Sequence, residues 1–164
     1  MLWEPRARTL ANRVARHHPA WRFAVSRTPR HVFVPRWWEQ DGDGWRLRTY
    51  AASPEAQPAD VYRDTTLVTQ IDDHHADDAH DDDALTTGTP TSSSTLPSLI
   101  LDMYRHAAID DDSRVLLTTG TGYGTALACS RLGSAQVTSI DIDARLVDVA
   151  AERLATLGMK PRML

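Results

Sequence analysis

The chain has 164 residues, 41% of them hydrophobic, which is enough for one ordinary globular domain. No run of about 20 apolar residues occurs, so no membrane span is expected, and the opening MLWEPRARTL is interrupted by charge too early for a signal peptide. The single cysteine, Cys129, excludes an internal disulfide framework; a cytoplasmic protein is the default expectation.

The formal charge of −4 hides an asymmetry, because residues 72–83 hold seven Asp and no Lys or Arg, whereas residues 1–48 hold ten Arg against four acids. Such a basic front either attracts an acidic ligand or nucleic acid or is simply a solvated face built with Arg. In chain order, residues 6–18 place Leu10 and Val14 one turn apart among arginines, which predicts an amphipathic helix ended before Pro19. His31–Pro35 is a short apolar run closed by proline. Trp45–Tyr50 alternates and predicts a strand, 51–59 is a Pro/Ala-rich loop, and the β-branched Thr65–Ile71 predicts another strand. Residues 72–92 are acidic and then rich in Thr, Gly, Pro and Ser. They hold too few apolar groups to fold alone, so a mobile insertion is expected. Leu96, Leu99, Ile100, Met103 and Tyr104 predict a helix over 96–108, with Ser94 or Thr95 as N-cap and Pro97 in its first turn.

From Arg114 the pattern changes. Arg114–Thr118 reads as a short buried strand, Thr119–Gly124 as a glycine-rich turn, and Thr125–Leu132 as a helix ended by Gly133. Gln136–Ile140 is a second strand. Asp143 caps a helix with Leu146, Ala150, Leu154 and Leu157 on one face, stopped by Gly158 and Pro161. Arg162–Leu164 begins a third strand. This β-α-β-α-β order predicts an α/β, Rossmann-like, doubly wound parallel sheet, incomplete, behind an N-terminal helical and extended cap. The expected divisions are 1–71 (cap and substrate side), 72–92 (acidic insertion) and 93–164 (first half of the cofactor domain).

Gly120-Thr121-Gly122-Tyr123-Gly124 follows a strand and opens a helix, where a tight turn and close ligand approach call for glycine. Asp141 ends the next strand, and a carboxylate there can accept from the two ribose hydroxyls of an adenosine. The pair reads as an adenosine-cofactor site. The loop is G-x-G-x-G, with Thr125 where the dinucleotide pattern G-x-G-x-x-G has its last glycine, so a nicotinamide oxidoreductase is disfavoured. Three histidines, His74, His75 and His80, sit among the aspartates, but their spacing matches no metal site and none is assigned. Trp37 and Trp38 lack a neighbouring basic run, so core packing or a substrate contact is preferred to base stacking, and no nucleic-acid partner is expected. Cys129 reads as a small buried apolar group.

Pro29-Arg30-His31-Val32-Phe33-Val34-Pro35 resembles the P-R-H-x-F-V-P signature of the protein-L-isoaspartate O-methyltransferases, which are class I S-adenosylmethionine-dependent enzymes. Val61-Tyr62-Arg63-Asp64 is similar to that family's next short motif, and Ser93-Ser94-Thr95-Leu96-Pro97 to its T-I-S-x-P segment over the reacting methyl. Gly120–Gly124 and Ser139-Ile140-Asp141 resemble its first two cofactor motifs. The variant TSSSTLPS and the run GYGTALACSRLG resemble most a subgroup from actinobacterial peptide-maturation clusters, which methylates Asp side chains of a ribosomal peptide. The resemblance implies a carboxyl O-methyltransferase that uses S-adenosylmethionine on an Asp or isoaspartyl carboxylate of a peptide or protein. It implies cofactor contacts from Thr118, Gly120, Thr121, Gly122, Gly124, Asp141 and Ile142, and Thr95 with Ser94 beside the substrate carboxylate. Thr118 stands where the family usually has an acid, and Thr95 where it has Ser.

Methyl transfer to a carboxylate needs no general base, since the nucleophile is already ionised at neutral pH, and placing the reacting atoms in line is the main task. The family sheet has further strands, the fourth beside the first. The expectation is therefore a chain that lacks the second half of the cofactor domain, self-associates through an open strand edge and is inactive alone. A non-catalytic remnant or partner-dependent cofactor-binding module is the alternative.

Overall fold

A computed structural model describes residues 3–50 and 60–164; the expected loop 51–59 lies outside them. The N-terminal helix α1 (Glu4–Val14) buries Ala7, Leu10, Ala11 and Val14 on one stripe, as the spacing requires. Two short helices follow, α2 (Arg22–Arg27) and the single turn α3 (Arg30–Phe33). Strands β1 (Arg36–Asp41) and β2 (Gly44–Thr49) form a hairpin with Trp38 opposite Leu47. Its turn is Asp41-Gly42-Asp43-Gly44, with Gly42 at φ 61°, a conformation glycine adopts without strain.

Strands β3 (Leu67–Ile71), β4 (His74–His75), β5 (Ala84–Leu85) and β6 (Pro90–Ser94) complete a six-stranded antiparallel sheet in the order β4-β3-β1-β2-β5, with β6 also on β3. The expected helical and extended cap is thus a sheet in its own right. The doubly wound parallel sheet is smaller than expected: β7 (Val115–Thr118), β8 (Val137–Ile140) and β9 (Arg162–Met163) pair in parallel in the order β7-β8-β9. Helices α5 (Tyr123–Leu132) and α6 (Ala144–Thr156) join them. Asp143 caps α6 as expected, its carboxylate accepting from Arg145 N at 2.9 Å. Strand β7 stands at the edge of its sheet and is not buried as expected; Leu116 is 65% exposed.

The acidic segment 72–92 is also not an unattached insertion, since it supplies β4, β5 and most of β6. Ala76 and His75 are buried, and Ala76 packs with Trp38, Leu47 and Ile71. Its aspartates meet arginines from elsewhere: Asp81 with Arg36, Asp78 with Arg145 and Asp77 with Arg153. The segment cannot fold alone, but the rest of the chain provides both its apolar partners and its counter-charges. Among the described residues, no helix is long and apolar enough to cross a membrane.

Helix α4 (Pro97–His106) packs against the helical front. Neither Ser94 nor Thr95 caps it. Leu96 is the N-cap residue, and the first amides are satisfied from a distance: Leu96 N donates to Thr66 Oγ1 at 3.2 Å and Ser98 N to Asp64 Oδ1 at 2.9 Å. One core holds Leu10, Trp21, Phe33, Val61, Leu101, Tyr123, Leu127 and Leu154 together. The residues before and after the acidic segment therefore share one interior.

Candidate active site

The glycine loop owes its shape to two left-handed glycines, Gly120 at φ 49° and Gly122 at φ 86°. They play different parts. A Cβ on Gly122 would come within 2.9 Å of Ala150 Cβ and 3.4 Å of Phe33 Cδ1, so this glycine lets the loop seat against α6 and α3. A Cβ on Gly120 would meet only Ser93 O, at 3.7 Å, which puts this turn directly beside the end of β6. Below the loop, Ser139 Oγ lies 2.8 Å from Thr119 Oγ1 and 2.9 Å from Thr125 Oγ1. This buried trio ties the loop, α5 and β8 together with every hydroxyl partnered. Tyr104 OH donates to Gly124 O at 2.8 Å and fixes α4 to the same loop.

A cleft of about 490 Å³ opens beside this loop, lined by Ser93, Ser94 and Thr95 on one side and Thr118, Gly120, Thr121 and Gly124 on the other. Six of the expected site residues thus share one cavity: Ser94, Thr95, Thr118, Gly120, Thr121 and Gly124. Gly122, Asp141 and Ile142 lie outside its walls. Asp141 is joined to it through Gly120, whose N–H donates to Asp141 Oδ2 at 2.9 Å, while Asp143 N donates to Oδ1 at 3.2 Å. A carboxylate has about four lone-pair sites, so half-buried Asp141 retains acceptor capacity for ribose hydroxyls. Ile142, beside it, is fully exposed. The loop geometry and this acceptor fit an adenosine cofactor: Asp141 would hold its ribose, and the first amides of α5 and the Gly120 turn would face its polar tail.

Ser94 and Thr95 differ. Ser94 is buried, and its Oγ accepts from Arg30 Nη2 at 3.5 Å. Thr95 is half-buried, and its hydroxyl makes no hydrogen bond among the described residues. Thr95 therefore presents the free hydroxyl, while Ser94 supports the wall.

Sequence reading missed the residue that holds this wall. Arg30 is 0% exposed. Its Nη1 donates to Val61 O at 3.2 Å and Arg63 O at 2.8 Å; its Nη2 donates to Thr65 O at 2.9 Å, Ser94 O at 3.3 Å and Thr95 O at 3.4 Å. One guanidinium thereby fastens the 61–65 segment to the Ser94–Thr95 segment. Burial lowers its pKa from the usual value, and Tyr123, Asp64 and Tyr62 work against that; it stays charged. Its guanidinium also lies 5.4 Å from the centre of the Tyr123 ring. Burial pushes the Tyr123 phenol up to about 12, so it remains a neutral donor. The available signal was a lone Arg inside the apolar Pro29–Pro35 run, where a charge has to find partners.

The remaining candidates are structural. Trp37 and Trp38 are buried, with Trp38 Nε1 donating to His74 O at 3.1 Å. Cys129 is buried, its thiol pushed up to about 11 by burial. His74, His75 and His80 do not converge: His75 is buried and accepts from Asp77 N at 3.2 Å, whereas the other two are exposed.

No protein-family model and no curated protein matches the chain. Among solved structures, a protein-L-isoaspartate O-methyltransferase is similar to it, with a TM-score of 0.64 and 21% sequence identity. The likeness covers 94% of this chain and 39% of that protein. At this identity it establishes the fold.

Proposed function

We propose that this chain carries the cofactor-binding part of an S-adenosylmethionine-dependent carboxyl O-methyltransferase. Its substrate is an Asp or isoaspartyl carboxylate in a peptide or protein. The observation that carries the reading is the position of Gly120, with its N–H on the Asp141 carboxylate and its turn against Ser93. An adenosine held at Asp141 has its reacting end directed toward the cleft where Thr95 offers a free hydroxyl. The printed name of the similar structure supports the same reaction class. When bound, the cofactor supplies an electrophilic methyl group on a sulfonium. The residues of the chain do the positioning: Asp141 and the loop amides set the cofactor, Thr95 donates to one carboxylate oxygen, and Arg30 keeps Thr95 in place. No general base is needed, because the attacking carboxylate is ionised at neutral pH. The subgroup that modifies ribosomal peptides remains part of this proposal through the TSSSTLPS variant alone.

The test is calorimetry with S-adenosylhomocysteine and with NAD. The first binds and the second does not, and Asp141→Ala weakens binding by about tenfold to hundredfold, the loss of a hydrogen bond to a charged acceptor. Tight NAD binding, or an unchanged affinity in the variant, removes the reading. Transfer of labelled methyl to an isoaspartyl peptide is lost in Thr95→Val and kept in Thr95→Ser. The unpaired outer edge of β7, with Leu116 exposed, favours a second reading in which a partner strand or a second copy completes the site. Cofactor binding by the chain without methyl transfer distinguishes it.

A further inference from the structure

A second groove lies on the other side of the Arg30 junction. It has a volume of about 370 Å³ and is lined by Arg6, Thr9, Leu10 and Arg13 from α1, with Tyr62 and Arg63 opposite. No acid lines it. Arg6, Thr9 and Arg13 follow the i, i+3, i+7 spacing of one helix face. Arg6 Nη1 is buried without a hydrogen-bond partner among the described residues, and neither Arg6 nor Arg13 takes part in an ion pair there. Arginines elsewhere behave differently, since Arg36, Arg131, Arg145 and Arg153 each hold an aspartate. Glu4, the acid of the same helix, acts on His31 and Tyr62. The basic charge of the N-terminal third is therefore uncompensated at this groove, and a buried unpartnered guanidinium nitrogen favours an incoming anion.

We propose that the groove of Arg6, Arg13 and Arg63 receives the acidic flank of a peptide whose reacting carboxylate lies at Thr95. Continuity supports this. Arg30 donates to Arg63 O and Thr95 O from one guanidinium, so the groove and the cleft are neighbours. Spacing supports it too: seven helical residues separate Arg6 from Arg13, about 10.5 Å, which an extended peptide spans in about three residues. Acids about three positions apart would meet both arginines. An acidic peptide is favoured over nucleic acid because Tyr62 is buried and the groove offers no exposed aromatic ring for base stacking.

The proposal rests on the methyltransferase reading for the reacting end only, and the experiment separates the two. Fluorescence anisotropy is measured with a labelled peptide carrying Asp at every third position, its Asn counterpart, and single-stranded DNA of equal charge. The wild-type chain binds the Asp peptide more tightly than either control, and the affinity falls as salt rises. The Arg6→Gln/Arg13→Gln double variant loses about fivefold to tenfold, as expected for two half-exposed charge pairs, while its melting temperature and S-adenosylhomocysteine affinity are unchanged. Arg13→Glu, at an exposed residue, reproduces the loss. Equal affinity in wild type and variants, equal binding of the Asn peptide, or tighter binding of DNA overturns the proposal. If S-adenosylhomocysteine does not bind the wild type, the methyltransferase reading falls while the peptide result is judged by itself.

Discussion

Replacing Arg30 by Met tests the account of how the cleft is held. Met retains an unbranched apolar stem of similar reach but no donor, so the carbonyls of Val61, Arg63, Thr65, Ser94 and Thr95 all lose their guanidinium partner. The two short contacts, at 2.8 Å to Arg63 O and 2.9 Å to Thr65 O, carry most of the energy, and the three from 3.2 to 3.4 Å carry less. Relief of the buried charge offsets part of the loss. The net cost expected for breaking such a buried charged hub is about 3–5 kcal/mol, a large share of the roughly 5–15 kcal/mol that stabilises a domain. At about 2–4 °C per kcal/mol for a chain of this size, the melting temperature falls by roughly 10 °C. Arg30→Lys keeps the charge and at most three donors, so it falls between the two. Hydrogen exchange adds a local readout, with amides near 61–65 and 93–96 losing protection together because one side chain joins them. A Met variant that melts within about 2 °C of wild type, or exchange that rises in only one segment, would refute the hub.

Removing residues 73–87 and closing the gap with a short linker should lower the melting temperature clearly, because Trp38, Leu47 and Ile71 lose the cover of Ala76 and its neighbours. Exposing roughly 100 Å² of apolar surface costs about 2–3 kcal/mol, so an unchanged melting curve would return the segment to the status of a mobile insertion. His75 gives a pH dependence. Burial, the largest influence, lowers its pKa from 6.5, aided by Arg145 and Arg153 and opposed by Asp77, which is already engaged by Arg153. A histidine whose folded pKa is depressed contributes stability that is complete above the unfolded value and is lost as pH falls through the folded one. The wild-type protein should therefore lose stability as pH falls below 6.5, by at most about 1.4 kcal/mol per pH unit from this group, and His75→Gln should flatten the curve. Parallel melting-temperature profiles for the two proteins would exclude His75 as a source.

The parts of the fold legible in the sequence are those set by near neighbours. The β-α-β-α-β order of the second half follows from the run Val115–Leu117, the glycines of the loop, the Asp143 cap and the four-residue spacing of Leu146, Ala150 and Leu154. Each is a local signal, and together they placed Gly120 and Asp141 21 residues apart at the ends of adjacent parallel strands. What stayed hidden depends on distant partners. Strand β1 reads Arg-Trp-Trp-Glu-Gln-Asp, which is neither alternating nor apolar; it is a strand because the Asp41–Gly44 turn folds it onto β2 in register. The acidic segment looks unfoldable by composition, and composition cannot see that Arg36, Arg145 and Arg153 wait for its aspartates.

Arg30 shows the same limit at the site. Its acceptors lie 31 to 65 residues further along the chain, so no window around Pro29–Pro35 contains the reason for the charge. The apolar run nonetheless carries a usable rule. A guanidinium placed among residues that must be buried has to be surrounded by oxygens, and backbone carbonyls are the oxygens a core can supply in number. Short motifs scattered along a chain can then be parts of one object. Here Arg30 supplies the donors, Val61–Thr65 and Ser94–Thr95 supply the acceptors, and Asp64 caps the helix that follows Thr95. The spacing between these motifs is therefore free to vary, provided the chain brings them back to the same guanidinium. This is how the long acidic segment is accommodated between Ile71 and Ser93 without displacing Thr95 from the cleft.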